Sequence, residues 1–443
     1  MRTFIVIDGH NLVYRSLFGL PKSGKGKYLE KKQDKEYFNK QIIQHTMGLL
    51  NAWKTVADGA VFVWDFGSWR KEMCASDYVG EIGYKANRNT ELKVDKARFA
   101  ECIEEFKKWL DLCKIAQCEC YGAEGDDWIC TLSRRLNGQG DSVIIYSNDG
   151  DLHQLVTDGV MELAKGDNGT YTLFASKGDC ERFTKKETVG VIERMLGGGS
   201  LKIDALKLLF GEMMATGKLV MTPVDAQTVL FEKILSGDKS DNIPSVCTMK
   251  KKGRDKNGNE VERVYSLTPA MGKIVLDGFY RRSGLTAINE MCYFNPDLQN
   301  MLCESILEVA KLKLKDAKEN TYYDESVDTV RHNLMRNIRL VMLGDNTIPS
   351  NISDAMSKRA DEIVADGAYL NWSVIDSWWL EHAPEYTKMD VNAMRRILTK
   401  EERETDWGFI RKDDAKSQGA NNEKETPVDD DGGLGIMING KLF

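Results

Sequence analysis

The chain has 443 residues, of which 42% are hydrophobic and 29% charged, so a disordered or fibrous protein is excluded. Its length predicts two or three domains. No apolar run approaches the roughly 20 residues of a membrane-spanning helix, and no membrane partner is expected. The ten cysteines contain no CxxC pair, which favours a reducing cytoplasm over a disulfide framework or a zinc site.

The formal net charge is −7, which by itself does not favour nucleic-acid binding, since such proteins usually carry a basic surface. A carboxylate cluster that holds metal cations would count in this sum without its cations. The segment from Asp413 onward is also rich in acids. The local distribution of charge therefore decides more than the total.

Three short apolar runs are predicted to be buried strands, and an aspartate follows each of them. The runs with their acids are residues 4–7 with Asp8, residues 60–64 with Asp65, and residues 143–146 with Asp149 and Asp151. Helical patterns separate the runs, which predicts an α/β fold with a parallel sheet. Because ligands bind off the carboxyl ends of such strands, these acids are expected to converge.

A second acidic group stands at the start of the helix predicted after Tyr121. Glu124 and Asp127 are three residues apart and would share one helix face, with Asp126 beside them at the helix start. So many carboxylates repel one another unless cations neutralise them, and oxygen ligands suit magnesium or manganese rather than zinc. The simpler alternative is a solvated acidic helix start with an acidic turn. Three aspartates at one sheet edge favour the metal site.

Residues 67–115, between the second strand and the acidic helix, are rich in basic side chains and end in a long helix predicted over residues 96–112. Beside a metal cluster such side chains can hold phosphate, although a solvated basic loop has the same composition. The basic side chains of this segment are Arg70, Lys71, Lys85, Arg88, Lys93, Lys96 and Arg98, and Tyr84 stands among them.

Asp238 and Asp241 again stand three residues apart, after a helix predicted over residues 224–235. A basic run and a turn follow, and Thr268 with Pro269 starts a helix whose amides could accept a phosphate. A plain capped helix is the alternative there. The basic side chains of this part are Lys250, Lys251, Lys252, Arg254 and Lys273.

The other predicted elements are a strand pair and several helices. They are the strands 160–163 and 171–174 and the helices 185–196, 204–210, 298–318, 327–343 and 352–365. Trp372, Trp378 and Trp379 are expected to pack in a helical core. From about Lys412 to Gly433 the chain is polar and expected to be disordered. Its apolar end, residues 434–443, could dock in a partner's groove or fold back onto its own body.

These motifs resemble those of the flap endonucleases and 5′-nucleases. The stretches that carry the resemblance are FIVIDGHNLVYR, VFVWDFGSWR, YKANR, AEGDDW, YSNDGDLHQLV and SGDKSDNIPSV. The likeness covers roughly residues 1–385, and within the family it is greatest to the ribonuclease H of T-even phages. Ser245, Val246 and Cys247 stand where the family usually has glycines.

The resemblance implies a PIN-like sheet with a helical arch over the site, at about residues 67–115, and a helical C-terminal domain that binds duplex DNA. It implies a nuclease domain over residues 1–245, the DNA-binding domain over 246–385, and a linker and tail over 386–443.

The resemblance also implies a site with two Mg²⁺, which Mn²⁺ could replace. The first cation would be held by Asp8, Asp65, Glu124, Asp126, Asp127 and Asp149, and the second by Asp151, Asp238 and Asp241. Lys85 and Arg88 would act on the scissile phosphate beside the catalytic acids Asp149 and Asp151. The residues expected to contact DNA are Arg70, Lys85, Arg88, Lys250, Lys251, Lys252, Arg254 and Lys273.

The implied activity is structure-selective cleavage that removes RNA primers and 5′ flaps during DNA replication. The substrates would be duplex DNA, RNA/DNA hybrids and 5′ flaps, cut by a monomer in the cytoplasm, or in the host cytoplasm for a phage-encoded chain. The tail could bind a sliding clamp or a single-strand-binding protein. The alternatives are a PIN-type RNA endonuclease, which would be much shorter, and a DNA-structure binder without catalysis, which would be expected to lack some of the acids.

Overall fold

The computed structural model describes residues 2–20, 28–86, 94–166, 169–184, 201–254, 256, 258–315, 321–322, 326–387, 437–438 and 441–442. The helix predicted over residues 185–196, the side chains of Arg88 and Lys93, and most of the C-terminal tail lie outside the described residues.

A seven-stranded sheet in the order β3-β2-β1-β4-β5-β6-β7 forms the centre of the molecule. Its strands are β1 (Thr3–Asp8), β2 (Gly59–Val63), β3 (Ala116–Cys118), β4 (Ser142–Tyr146), β5 (Val160–Lys165), β6 (Tyr171–Ala175) and β7 (Leu219–Pro223). Strands β1 to β5 are parallel, which confirms the predicted α/β fold. The three strands predicted to end in aspartate, β2, β1 and β4, are neighbours.

The sheet is mixed rather than purely parallel. Strand β6 pairs antiparallel with β5, as the predicted strand pair requires, because a short turn joins them and a parallel pair would need a long crossover. Strand β7 then pairs parallel with β6 and forms one sheet edge. Its short run, Leu219–Pro223, was not predicted to be a strand.

The helices of the first half of the chain bury apolar stripes against the sheet. They are α1 (Gly9–Phe18), α2 (Lys32–Trp53), α3 (Trp69–Asp77), α4 (Lys96–Leu112), α5 (Gly125–Gly138), α6 (Lys177–Thr184), α7 (Leu201–Ala215) and α8 (Ala226–Ser236). In α4 the buried residues recur at helical spacing from Phe99 to Leu110, after an N-cap bond from the Arg98 amide to Asp95. This helix, which was predicted to belong to the arch, is thus part of the core. Residues 87–93 of the predicted arch lie outside the described residues.

The second half of the chain is mainly helical. Its elements are α9 (Pro269–Ser283), α10 (Glu290–Phe294), α11 (Pro296–Lys315), α12 (Val327–Val341), α13 (Ser350–Glu362) and α14 (Trp372–Thr387), with strands β8 (Thr248–Arg254), β9 (Glu260–Ser266), β10 (Thr321–Tyr322), β11 (Met437–Ile438) and β12 (Lys441–Leu442). The basic run belongs to the antiparallel β8–β9 hairpin. No strands were predicted there, because the C-terminal part was expected to be helical. Val261, Val264 and Tyr265 in β9 are residue types that favour strands.

Two apolar clusters cover the two faces of the sheet. One joins Val6 and Val61 to Phe231 on α8 and to helices of the second half, including Val275 and Ile306. The other joins Ile7 and neighbouring strand residues to α2, α4 and α7, with Trp372, Trp378 and Trp379 packed against it as predicted. The core is therefore continuous across residue 245, and the domain boundary placed there stays a prediction.

The chain returns to the sheet after α13. The Leu370 amide donates to the Asp58 carbonyl at 3.2 Å, and Tyr369 forms a bridge with Gly59. A Cβ on Gly59 would lie 2.1 Å from the Ala368 carbonyl oxygen, so this close approach requires glycine. None of the helices in the described part of the chain is long and apolar enough to cross a bilayer.

Candidate metal centre

Asp8 stands where strand β1 passes into helix α1. One of its carboxylate oxygens accepts a hydrogen bond from the Asn11 amide at 2.9 Å, which caps the helix, and the other accepts from the Ser147 hydroxyl at 3.0 Å. Burial raises the pKa of the Asp8 carboxyl to about 7, and the charges of Asp65 and Asp149 add to the shift. The convergence predicted for the three strand ends is therefore present in the structure.

Asp65 lies two residues after the end of strand β2 and points its half-exposed carboxylate toward helix α5. It accepts a hydrogen bond from the Gly125 amide, and its own amide donates to His10 Nδ1 at 3.2 Å. Burial lowers the pKa of His10, so the imidazole is held neutral and accepts this bond. A Cβ on Gly9 would lie 2.7 Å from the ring of Trp64, so glycine is needed where α1 crosses that ring.

Asp126 is the residue of the acidic helix start that joins the strand-end acids. Burial raises the pKa of its carboxyl well above the usual value, and the charge of Asp149, followed by Lys85, Asp8 and Asp65, acts on it as well. Asp149 caps the short 3₁₀ helix Gly150–Leu155 by accepting from the Asp151 amide at 3.0 Å. Asp8, Asp65, Asp126 and Asp149 thus form one group, which we call the first acid group.

Asp127 turns away from this group, so the prediction that it holds the first cation is wrong. Its side chain is fully buried and accepts from the Glu124 amide at 3.1 Å, as the third residue of a capping box does. It also accepts from Trp69 Nε1 at 3.1 Å and from both terminal nitrogens of Arg70. These bonds engage both carboxylate oxygens, and the side chain fixes the start of α5.

Arg70 is likewise unavailable to DNA, which makes the predicted DNA contact of this residue wrong. Its guanidinium is 1% exposed and donates to Asp127 Oδ1 at 2.8 Å and to Glu124 Oε2 at 3.0 Å. A buried charge needs such partners, because the free energy of removing it from water is large. Arg70 therefore ties helix α3 to the start of α5.

Glu124 is held by cations rather than left free among the other acids. Lys85 Nζ lies 2.9 Å from its Oε1, and the hydroxyl of Tyr84 donates to Oε2 at 3.2 Å. Burial alone would raise the pKa of Glu124, but Arg70 and Lys85 outweigh it and lower the pKa to about 2. The predicted role of Glu124 as a metal ligand stays a prediction.

A second group of acids, which we call the second acid group, consists of Asp151, Asp238 and Asp241. One oxygen from each of them lies within 4.8 Å of the others. Asp238 Oδ1 accepts from the Ser240 amide at 2.7 Å and from its hydroxyl at 2.6 Å. Gly237, at φ +72°, lies so close to the chain after it that a Cβ would be 2.3 Å from the Ile243 carbonyl oxygen.

Lys233 is a functional residue that the sequence analysis missed. Its Nζ lies 2.9 Å from Asp238 Oδ2 and also contacts Asp151 Oδ1. Burial would raise the pKa of Asp238, but Ser240 and Lys233 lower it to about 2. The available signal was that Lys233 is the only basic residue in the segment 224–235.

Lys85 joins Glu124 to the second acid group. Its Nζ is 3.9 Å from Asp241 Oδ2 as well as 2.9 Å from Glu124, and its amide donates to the Asp241 carbonyl at 2.9 Å. Its φ is +56°, a backbone region that costs free energy for any residue other than glycine. The hydrogen bond from the Lys85 amide to the Asp241 carbonyl holds this conformation, so the main chain itself brings Lys85 to the second acid group.

The two groups suit divalent cations in their chemistry. They offer only carboxylate oxygens, and the charges of Asp65 and Asp149 raise the pKa values of Asp8 and Asp126 in the first group. Among the predicted DNA contacts, Lys273 is exposed and is the fifth residue of α9. Lys250, Lys251, Lys252 and Arg254 lie on β8, and their side chains are outside the described part of the structure.

Comparison with known proteins finds a likeness in the first part of the chain. Residues 3–188 match the model of the 5′-3′ exonuclease, N-terminal resolvase-like domain. The matched stretch is less than half of the chain. It contains the whole first acid group and Asp151, while Asp238 and Asp241 lie beyond the match.

Part of the chain is also similar to thermostable DNA polymerase I. The enzyme of Thermus aquaticus is 28% identical over 156 residues, which are 35% of this chain and 16% of the polymerase. An enzyme of Thermus thermophilus is 30% identical over 159 residues, which are 36% of this chain and 17% of the polymerase. The chain thus spans less than a fifth of the length of these curated relatives.

Two solved structures resemble a larger part of the chain, but weakly. The flap endonuclease of bacteriophage T5 with DNA and metal ions has a TM-score of 0.44 at 17% identity. The T5 5′-exonuclease with zinc has a TM-score of 0.43 at 17% identity. Each comparison covers 82% of this chain and 100% of the other.

Proposed function

We propose that this chain is a metal-dependent, structure-selective 5′ nuclease that removes RNA primers and 5′ flaps during DNA replication. The observation that carries the proposal is the convergence of Asp8, Asp65, Asp126 and Asp149 within the stretch that matches the 5′-3′ exonuclease domain. The proposal includes ribonuclease H activity on RNA/DNA hybrids. The particular likeness to the ribonuclease H of T-even phages stays a prediction.

The first acid group would hold one Mg²⁺ and the second acid group another. Bound divalent cations supply Lewis-acid stabilisation of a phosphodiester and lower the pKa of a nearby water, so hydrolysis needs no histidine base. Neutral His10 would serve to orient Asp65 rather than to act as a base, because its Nδ1 accepts a hydrogen bond from the Asp65 amide.

Lys85 would place a positive charge where a phosphate meets the two acid groups. It is fixed by Glu124 and by the Asp241 main chain, so it is held in position before substrate arrives. Glu124 and Tyr84 would hold this ammonium in place and keep it charged. Arg88, on the arch, stays a predicted second contact.

Duplex binding would use the part of the chain that follows the second acid group. Thr268 and Pro269 open helix α9, which presents exposed Lys273, and the basic β8–β9 hairpin lies just before it. Contacts of this kind are made to the phosphate backbone and carry no base sequence, which fits selection of structure rather than sequence.

The decisive experiment is cleavage of a 5′-flap duplex, a blunt duplex and single-stranded RNA, each with Mg²⁺ or with EDTA. A 5′ nuclease cuts the flap and the duplex end with Mg²⁺ and not with EDTA. Binding to the duplex without any cutting would instead identify a DNA-structure binder. Cutting of single-stranded RNA alone would identify a PIN-type RNA endonuclease.

We also propose that the apolar C-terminal peptide, residues 434–443, binds a sliding clamp or a single-strand-binding protein. The support is its composition after a polar segment. Deleting these residues should abolish capture of that partner and leave flap cutting unchanged. Equal capture of both proteins by the truncated and the full chain would remove this proposal.

A further inference from the structure

Two large aromatic side chains stand exposed at one end of the acidic site. Phe66 is 51% exposed and Tyr121 is 70% exposed, and their rings meet edge to face with centroids 5.6 Å apart. Phe66 directly follows Asp65, and Tyr121 lies three residues before Glu124. Leaving this much apolar surface in water forgoes the free energy of its burial, and such pairs are favoured where a ligand covers them.

The main chain holds both rings in place. The Phe66 amide donates to the Ala123 carbonyl at 3.0 Å, and the Gly122 amide donates to the Phe66 carbonyl at 2.6 Å. Gly67 and Gly122 adopt φ of +94° and +88°, and a Cβ on Gly122 would lie 2.8 Å from Ile352. The two segments therefore pair beyond the ends of β2 and β3, and the ring pair is fixed before any ligand binds.

The position of the pair relative to the acids gives it a direction. The neighbouring strands β3, β2, β1 and β4 end at one edge of the sheet. The aromatic pair follows β3 and β2, Asp65 also follows β2, Asp8 ends β1, and Asp149 follows β4. Asp151 and Asp238, bridged by Lys233, lie at the far end. The basic hairpin and α9 follow Asp238 in the chain, so the proposed duplex side is connected to the second acid group, whereas the aromatic pair adjoins Asp65.

We propose that Phe66 and Tyr121 form a stacking platform for a nucleobase of the 5′ strand, just beyond the scissile phosphate on the side away from the duplex. This inference rests on the proposed nuclease function and adds to it the subsite that receives the displaced strand. Aromatic side chains take any base, because every base has a stacking face. The platform thus selects for an unpaired strand without selecting its sequence.

The test combines protein variants with abasic substrates. Single-turnover cleavage of a 5′-flap duplex is measured for the full chain and for Phe66→Leu and Tyr121→Leu, which keep apolar bulk and lose the ring. Abasic residues are placed one, two and three nucleotides 5′ of the scissile phosphate. Tyr121→Phe keeps the ring, and Leu380→Ala, which removes another exposed apolar side chain on α14, is the matched control.

Stacking of one base predicts that each leucine variant cuts the intact flap about 5- to 100-fold more slowly. An abasic residue at one of the three positions should lower the cleavage rate of the original chain by a similar factor. The same abasic residue should not lower the cleavage rates of the leucine variants any further. Tyr121→Phe, which keeps the ring, should cut faster than Tyr121→Leu, and Leu380→Ala should cut at the original rate. Leucine variants that cut at the original rate, or losses that multiply with the abasic loss, would overturn the platform.

A second measurement needs no folded variant. The original chain with Ca²⁺ is mixed with flaps carrying 2-aminopurine at each of the three positions, and stacking should quench its fluorescence at one of them. Unquenched fluorescence at all three would overturn the platform even if flap cutting is normal. An original chain that binds the flap but cuts no substrate with Mg²⁺ would instead overturn the proposed function.

Discussion

Nζ of Lys233 lies 2.9 Å from Oδ2 of Asp238, inside the group of acids that was expected to hold a second cation. The contact of this ammonium with Asp151 means that one lysine forms ion pairs with two of the three acids. A lysine in that place stabilises the acids when no divalent cation is bound. When a divalent cation is bound, Lys233 must share these carboxylates with it or move away from them.

Removing the ammonium should therefore make the protein depend more on divalent cations. Lys233→Met should lower the free energy of unfolding by about 1–2 kcal/mol in EDTA, because the acids repel one another, and Mg²⁺ should restore part of the loss. Thermal unfolding with and without Mg²⁺ measures both effects. The control is Lys54→Met, which breaks an exposed pair with Asp376 and should show no dependence on Mg²⁺. Equal losses with and without Mg²⁺ would argue against this role of Lys233.

Asp149 belongs to the first acid group and should be needed for cutting but not for holding the duplex. Asp149→Ala should slow flap cutting by at least about 100-fold, since a lost metal ligand removes transition-state stabilisation. Duplex binding, measured by fluorescence anisotropy in Ca²⁺, should stay within a few-fold. Asp376→Asn, an exposed carboxylate on α14, is the control for a lost negative charge. Normal cutting by Asp149→Ala would show that the metal assignment is wrong.

Arg70 separates a structural role from the DNA contact that the sequence suggested. Arg70→Met should cost about 3–5 kcal/mol of unfolding free energy, because Asp127 and Glu124 would keep buried charges with one partner fewer. Lys71→Met, an exposed neighbour on the same helix, should cost little. Urea unfolding compares the two. An Arg70→Met protein that is as stable as the original but binds DNA weakly would restore the predicted contact.

Glu162 on strand β5 should make stability depend on pH. Its side chain is buried, neither oxygen has a hydrogen bond among the described residues, and His153 Nε2 is 3.6 Å away. Burial, with the charges of Asp149 and Asp8, raises its pKa to about 9. The folded chain thus keeps a proton that the unfolded chain loses near pH 4.5, so the contribution of Glu162 to stability falls as pH rises from about 4.5 to about 9.

Glu162→Gln keeps the shape of the side chain and removes its titration. At pH 8 the variant should be more stable than the original by about 1–3 kcal/mol, and the difference should shrink toward pH 5. Thermal unfolding at several pH values measures this, with Glu308→Gln, an exposed carboxylate on α11, as the control. A stability difference that is the same at pH 5 and pH 8 would show that Glu162 keeps its charge inside the fold.

The sequence was sufficient to predict the sheet and the place of the site. The apolar runs before Asp8, Asp65 and Asp149 follow from local pattern, and parallel strands that end at one edge bring their last residues together. The antiparallel turn to β6 was also readable, because a short polar stretch between two strands allows nothing else. Strand β7 was missed, since its five residues carry little pattern of their own.

The sequence by itself determined that β1, β2, β4, β5 and β6 are strands, which acids follow the first three of them and where along the chain the second pair of acids lies, because these depend on near neighbours. Only the tertiary structure decided that Arg70 and Asp127 are buried partners, that Lys233 lies among the acids and that Phe66 meets Tyr121. Each of these contacts joins side chains from segments that fold together across the sheet. Whether a charge faces water or a partner depends on that packing, which spacing along the chain does not record.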